Sequence, residues 1–309
     1  MSEAILRLTD DEVWTALEAI DPVGVLAEEL IDRTVGNEVP PAGKLSEWSD
    51  SRVKGADGAE LVLLDHPEAA IRCVLPATGL RTFQAAALAA LAARELLVRG
   101  GVTVAMLGAS RAASPQLAVI ARHVPDISHV AVRRTEPGGS SLPVRLTELL
   151  ELSGIRLSLA STVAETVFGA NLVVASDDGE PPQDLSGMRV SQLARGVVLI
   201  NSTGRDLPDA LVDQVDELYV DDLTLLSGHT NRHFVAAHLA KRADRPGVER
   251  AGPRIDADLG LLLAGRHVRA HADNTVLVEL LGVSTLNVRL AYRIQQAAER
   301  AGLGSRVRL

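Results

Sequence analysis

Apolar positions change their period along this chain, and each change predicts an element. Val13, Leu17 and Ile20 recur at helical spacing behind Thr9, with Glu12 three residues further on, which is a capping-box signature. Asp21-Pro22 opens a second helix that carries Val25, Leu26, Leu30 and Ile31 toward a core. Residues 36–58 lose the pattern, and Gly36, Pro40, Pro41, Gly43, Gly55 and Gly58 predict loops there. Glu60–Leu64 and Ala69–Leu75, split by Asp65-His66-Pro67, predict paired strands. From Leu80 to Arg99 an Ala-rich run predicts a helix closed by Gly100-Gly101.

The middle of the chain alternates. Val102–Leu107, His129–Val132, Ile155–Leu159, Leu172–Ala175, Val197–Asn201 and Glu217–Val220 are short apolar strands. Ala113–His123, Pro143–Leu152 and Ser161–Phe168 read as helices between them. Such alternation predicts a parallel sheet covered on both faces, and right-handed crossovers make it doubly wound. Ile255–Ala264 is expected to be helical and ended by Gly265. Thr275–Leu281 is a further apolar run, and a final amphipathic helix runs from about Ser284 to Arg300.

Composition narrows the function. The formal charge is −9, from 31 basic and 40 acidic side chains, so a protein that coats nucleic acid or anionic lipid is excluded. Only 2% of residues are aromatic, which leaves no stacking platform for bases. The single cysteine, Cys73, lies in an apolar stretch and is expected to be a buried thiol. No apolar run is long enough to span a bilayer, and the N-terminus lacks a leader pattern, so a cytoplasmic protein without membrane contact is expected.

The local chemistry concentrates in VTVAMLGASRAA, residues 102–113, where a strand gives way to a helix. Free N–H groups and the helix dipole favour a pyrophosphate at such a junction. The dinucleotide pattern G-x-G-x-x-G/A appears as Gly108, Ser110 and Ala113, with Ser in place of the second Gly. Gly108, Ala109, Ser110, Arg111 and Ala112 are therefore candidate coenzyme contacts. The next strand ends at Arg133 and Arg134, where an NAD site expects a carboxylate. Guanidinium groups suit a 2′-phosphate, so NADP is expected, with NAD as the alternative.

With these segments in order, the chain resembles the ornithine cyclodeaminase/μ-crystallin family. LRLTDDEVWTAL, GLRTFQAAALAALAARELL, MLGASRAASPQLAVIAR, NLVVASDDGEP, GVVLINSTGRDLPDAL, IDADLGLLLAGR and LGVSTLNVRLA carry the likeness. The resemblance implies a Rossmann-like α/β domain over 81–279. It also implies a smaller α+β domain from 1–80 with the returning helix of 280–309, which holds substrate and makes a homodimer. NAD(P)-dependent chemistry at the C–N bond of an amino-acid-like or imine substrate follows from it. Arg81 and Thr82 match an Arg-Thr pair that contacts coenzyme phosphate, Ser176 matches a strand-end Thr, and Asp206 matches a catalytic Asp.

The chain also departs from that pattern. The stretch that carries the family's substrate Arg and Lys is compressed, leaving Lys44 as the catalytic candidate and Lys54 as the other. Arg33 and Arg52 are the candidates for holding a substrate carboxylate, and Asn287 replaces an Asp. A family member that binds its nucleotide without net redox turnover is therefore the alternative to an enzyme. His229 and His233, spaced i,i+4, lack a third ligand of fixed spacing, so no metal is expected there. Ser176-Asp177-Asp178 and Asp221-Asp222 read as ordinary acidic turns.

Overall fold

The computed structural model describes residues 4–36, 49–54, 59–65, 72–108, 113–133, 142–176, 185, 187–242, 254–282 and 287–308. By contact density the chain divides into two units, 1–87 with 283–309, and 88–282.

The first unit contains a mixed sheet. Its strands are β1 (Ala4–Arg7), β2 (Ser49–Lys54), β3 (Glu60–Asp65), β4 (Arg72–Pro76) and β13 (Ser305–Arg308), in the order β13-β1-β4-β3-β2. β3 and β4 pair antiparallel, as the two apolar runs predict. Residues 36–58 are not all loop, because β2 pairs with β3 from Ser49↔Asp65 to Lys54↔Glu60. Ser-Asp-Ser-Arg-Val-Lys lacks an apolar alternation, and edge pairing overrides that weak local signal. Cys73 is buried in β4, and burial pushes its thiol up to about 12.

Helices α1 (Asp10–Leu17), α2 (Pro22–Val35) and α10 (Val288–Arg300) complete this unit. Thr9 and Glu12 form the capping box of α1, and Asp21 caps α2 ahead of Pro22. On α10, Leu290, Ala291, Ile294, Ala297 and Ala298 are buried, a single stripe at helical spacing. Helix α3 (Ala77–Leu96) contains the division between the units, and its alanines from 85 to 93 are buried without exception.

The second unit is built on an eight-stranded parallel sheet, the doubly wound arrangement expected. Its strands are β5 (Val102–Leu107), β6 (Ile127–Arg133), β7 (Arg156–Ala160), β8 (Leu172–Ser176), β9 (Val198–Ser202), β10 (Glu217–Val220), β11 (Ile255–Asp258) and β12 (Val276–Glu279). Their order is β11-β10-β12-β9-β8-β5-β6-β7. From β5 the chain steps outward to β6 and β7, then returns to the other side of β5 as β8 and β9. The reversal lies between β5 and β8, and ligands bind outside the carboxyl ends of strands at such a point.

Helices α4 (Ala113–His123), α5 (Val144–Leu152), α6 (Val163–Val167), α7 (Asp209–Val212), α8 (His233–Arg242) and α9 (Leu259–Leu263) lie between the strands in sequence. The single helix expected over Ile255–Ala264 is a strand followed by a short helix. Ile255 and Ala257 are buried while Asp256 between them is exposed, a period of two. Asp258 then ends β11 by capping α9, its Oδ1 accepting from the Leu261 N–H at 2.8 Å.

Candidate functional site

The carboxyl end of β5 meets that of β8 at Gly108. Its φ of +127° lies where side chains are rarely tolerated, and a Cβ there would stand 2.1 Å from Ser176 Oγ. Glycine is thus required both for the turn and for the approach. Ser176 is buried, and its hydroxyl donates to the Leu107 carbonyl at 3.2 Å. Ser176 therefore ties the end of β8 to β5. One position along the sheet, Ser202 Oγ donates to the Ala175 carbonyl at 2.9 Å. Gln116, in the first turns of α4, donates through Nε2 to Ser202 Oγ at 3.3 Å. The first turn of α4 carries no acidic residue that would repel an anion.

Arg133 ends β6, paired in register with Ala160 of β7. Its Nε and Nη1 are buried and make no hydrogen bond. A guanidinium with idle buried donors is costly, and an anionic group at that strand end would satisfy it. Ala109, Ser110, Arg111, Ala112, Arg134 and Lys44, like Lys54 with its side chain, lie outside the described residues.

Asp206 stands beyond β9, about two-fifths exposed, and both its oxygens are engaged. Arg232 Nε donates to Oδ1 at 2.8 Å, and the His233 N–H at the start of α8 donates to Oδ2 at 3.1 Å. Arg232 itself is buried. Its Nη2 donates to Glu279 Oε2 at 2.7 Å and to the Arg205 carbonyl at 2.9 Å. Asn201 Nδ2 donates to the same Glu279 oxygen at 2.8 Å. Burial pushes the Glu279 carboxyl up to about 7, against the pull of Arg232 and Asn201. Of this network only Asp206 is a candidate from the sequence; Arg232, Glu279 and Asn201 join it through the fold.

In the first unit, Arg81 Nη2 pairs with Glu60 Oε2 at 2.5 Å, and Thr82 donates to the Thr78 carbonyl one turn back. Neither side chain is idle as it stands. Asn287 caps α10 through the Leu290 N–H and donates to Glu29 Oε2, each at 2.8 Å. Glu29 also pairs with Arg33, one of the two candidates for a substrate carboxylate. The two histidines fall on different elements, His229 closing a 3-10 turn and His233 opening α8. Among the described residues no group of three ligating side chains gathers. Asp221 is committed to backbone, accepting from the Leu281 N–H at 2.8 Å and the Gly282 N–H at 2.6 Å.

No protein-family model matches the chain, and no curated protein matches it. Solved structures do. CmnK aligns over 100% of this chain and 99% of its own at 20% identity, with a TM-score of 0.69. The Δ1-pyrroline-2-carboxylate reductase of Thermococcus litoralis, in complex with NADH and L-proline, aligns over 98% of this chain and 100% of its own at 13% identity and a TM-score of 0.67. A probable ornithine cyclodeaminase from Bordetella pertussis Tohama I gives 16% identity, 98% and 100% coverage and a TM-score of 0.65. The chain has the ornithine cyclodeaminase fold. In this cyclodeaminase-type fold the Gly108 turn, the Arg133 strand end and the Asp206 loop share one edge of the parallel sheet, at the carboxyl ends of β5, β6 and β9. No helix among the described residues is long and apolar enough to cross a membrane.

Proposed function

We propose that this chain is an NADP(H)-dependent enzyme acting at the C–N bond of an amino-acid-like or imine substrate. The observation that carries the coenzyme is Arg133, whose buried Nε and Nη1 have no partner where the 2′-position of an adenosine ribose falls in a doubly wound fold. In this reading the Gly108 strand end and the start of α4, with Ala109, Ser110, Arg111 and Ala112, receive the pyrophosphate, and Arg134, next to Arg133 in sequence, is the second candidate cation. Ser176 serves this site by holding the strand ends together. Arg81 and Thr82 remain candidates for a phosphate contact, which requires Arg81 to exchange Glu60 for the phosphate. A nicotinamide coenzyme supplies hydride exchange at the carbon that bears nitrogen.

The chain's own part is orientation and charge. Asp206, fixed by Arg232 and the His233 N–H, presents a carboxylate for a substrate ammonium. Lys44 supplies the proton-transfer group in this reading. The unit that contains α10 contributes the substrate and dimer surfaces of a cytoplasmic homodimer, which light scattering reads directly. Fluorescence titration tests the coenzyme. NADPH is expected to bind at least about tenfold more tightly than NADH, and Arg133→Leu to remove that preference. Failure of the wild-type protein to bind any nicotinamide dinucleotide defeats the proposal.

One observation favours a second reading, a protein that binds nucleotide without turnover. Both Asp206 oxygens are already hydrogen-bonded within the chain. Tight NADPH binding with no oxidation across a panel of imino acids would select it.

A further inference from the structure

Ser202 fixes the orientation of the Gln116 amide. A serine hydroxyl has one proton, and Ser202 Oγ gives it to the Ala175 carbonyl at 2.9 Å. Toward Gln116 that oxygen can only accept, so the amide nitrogen must face it, at 3.3 Å. Gln116 Oε1 is thereby turned the other way. It is buried and has no hydrogen-bond partner, on a residue only 4% exposed. A buried acceptor without a donor is unfavourable, so the site is incomplete as it stands.

The location says what completes it. Gln116 lies at the start of α4, the helix that follows the Gly108 turn, and its amide reaches toward β9. In a doubly wound sheet the adenosine half of a dinucleotide lies on the β5–β6 side of the reversal, where Arg133 is, and the other half lies on the β8–β9 side. The nicotinamide-riboside half carries donors, namely its ribose hydroxyls and its carboxamide N–H groups. We propose that Gln116 is a coenzyme-positioning residue whose Oε1 accepts a hydrogen bond from the nicotinamide-riboside half of the dinucleotide. This rests on the coenzyme reading above and assigns one residue to one half of that ligand.

Calorimetric titration of the full chain with NADPH and with 2′,5′-ADP, which lacks the nicotinamide riboside, separates the two claims. Gln116→Met is expected to weaken NADPH about tenfold and to leave 2′,5′-ADP within about twofold of wild type. Retained 2′,5′-ADP binding also shows that the variant is folded. Equal loss for both ligands, or loss for neither, overturns the Gln116 assignment while the coenzyme reading stands. Wild-type protein that binds neither ligand removes both. If Gln116→Met does not fold, a crystal structure of the wild-type complex with NADPH decides. Oε1 is expected within hydrogen-bond distance of a ribose hydroxyl or the carboxamide nitrogen, and an Oε1 still unpartnered overturns the assignment.

Discussion

Glu279 is the residue at which charge and burial conflict most sharply. It shares one oxygen between Arg232 and Asn201, yet burial lifts its carboxyl to about 7 from an ordinary 4.5. Between those values the folded chain retains a proton that the unfolded chain has released. Stability therefore falls as pH rises through that window. Asp221, raised to about 6 by burial, acts in the same direction. Through these two carboxyls melting temperature is expected to decline from pH 5 to pH 7, against an opposite contribution from His229, whose imidazole is held by burial below its ordinary 6.5. Glu279→Gln should flatten that slope, which a series of thermal melts reads; an unchanged slope removes Glu279 as its source. None of this was legible in the sequence. Glu279 sits in an apolar run, and its partners Arg232 and Asn201 lie 47 and 78 residues away along the chain. The positions of Gly108 after β5 and of Arg133 at the end of β6 were legible because they follow from a local strand–helix alternation.

At the scale of elements, the join between α2 and α10 turns on Asn287. One side chain caps α10 and also donates to Glu29, using both ends of its amide. An aspartate there keeps the cap but places a second carboxylate against Glu29. Asn287→Asp is expected to destabilise the protein by about 1–2 kcal/mol, and Asn287→Ser by less, as measured by urea unfolding. Equal stability of wild type and Asn287→Asp would show that the Glu29 contact contributes nothing. Helix boundaries here were largely readable, since Thr9, Asp21 and the α10 stripe are local signals. The strand at Ser49–Lys54 and the strand that opens Ile255–Asp258 were not, because partner strands impose them.

At the scale of the whole molecule, the first unit is discontinuous and the second is not. The parallel sheet, its alternating helices and the reversal at β5 are contained within 88–282, which is why the doubly wound architecture could be read from local pattern. The mixed sheet needs both ends of the chain, and nothing in the spacing of either end announces the other. A chain stopped after Gly282 is expected to keep the second unit resistant to protease while the first is cut. Limited proteolysis with mass mapping checks this, and protection of both units would show that the first does not need its returning helix.

The antiparallel pairing of β1 with β13, from Ala4↔Arg308 to Arg7↔Ser305, has a further consequence during synthesis. β1 cannot meet this neighbour until β13 has been translated. The second unit can assemble in the meantime, so the β13 edge of the mixed sheet closes late, after β1 has already met β4.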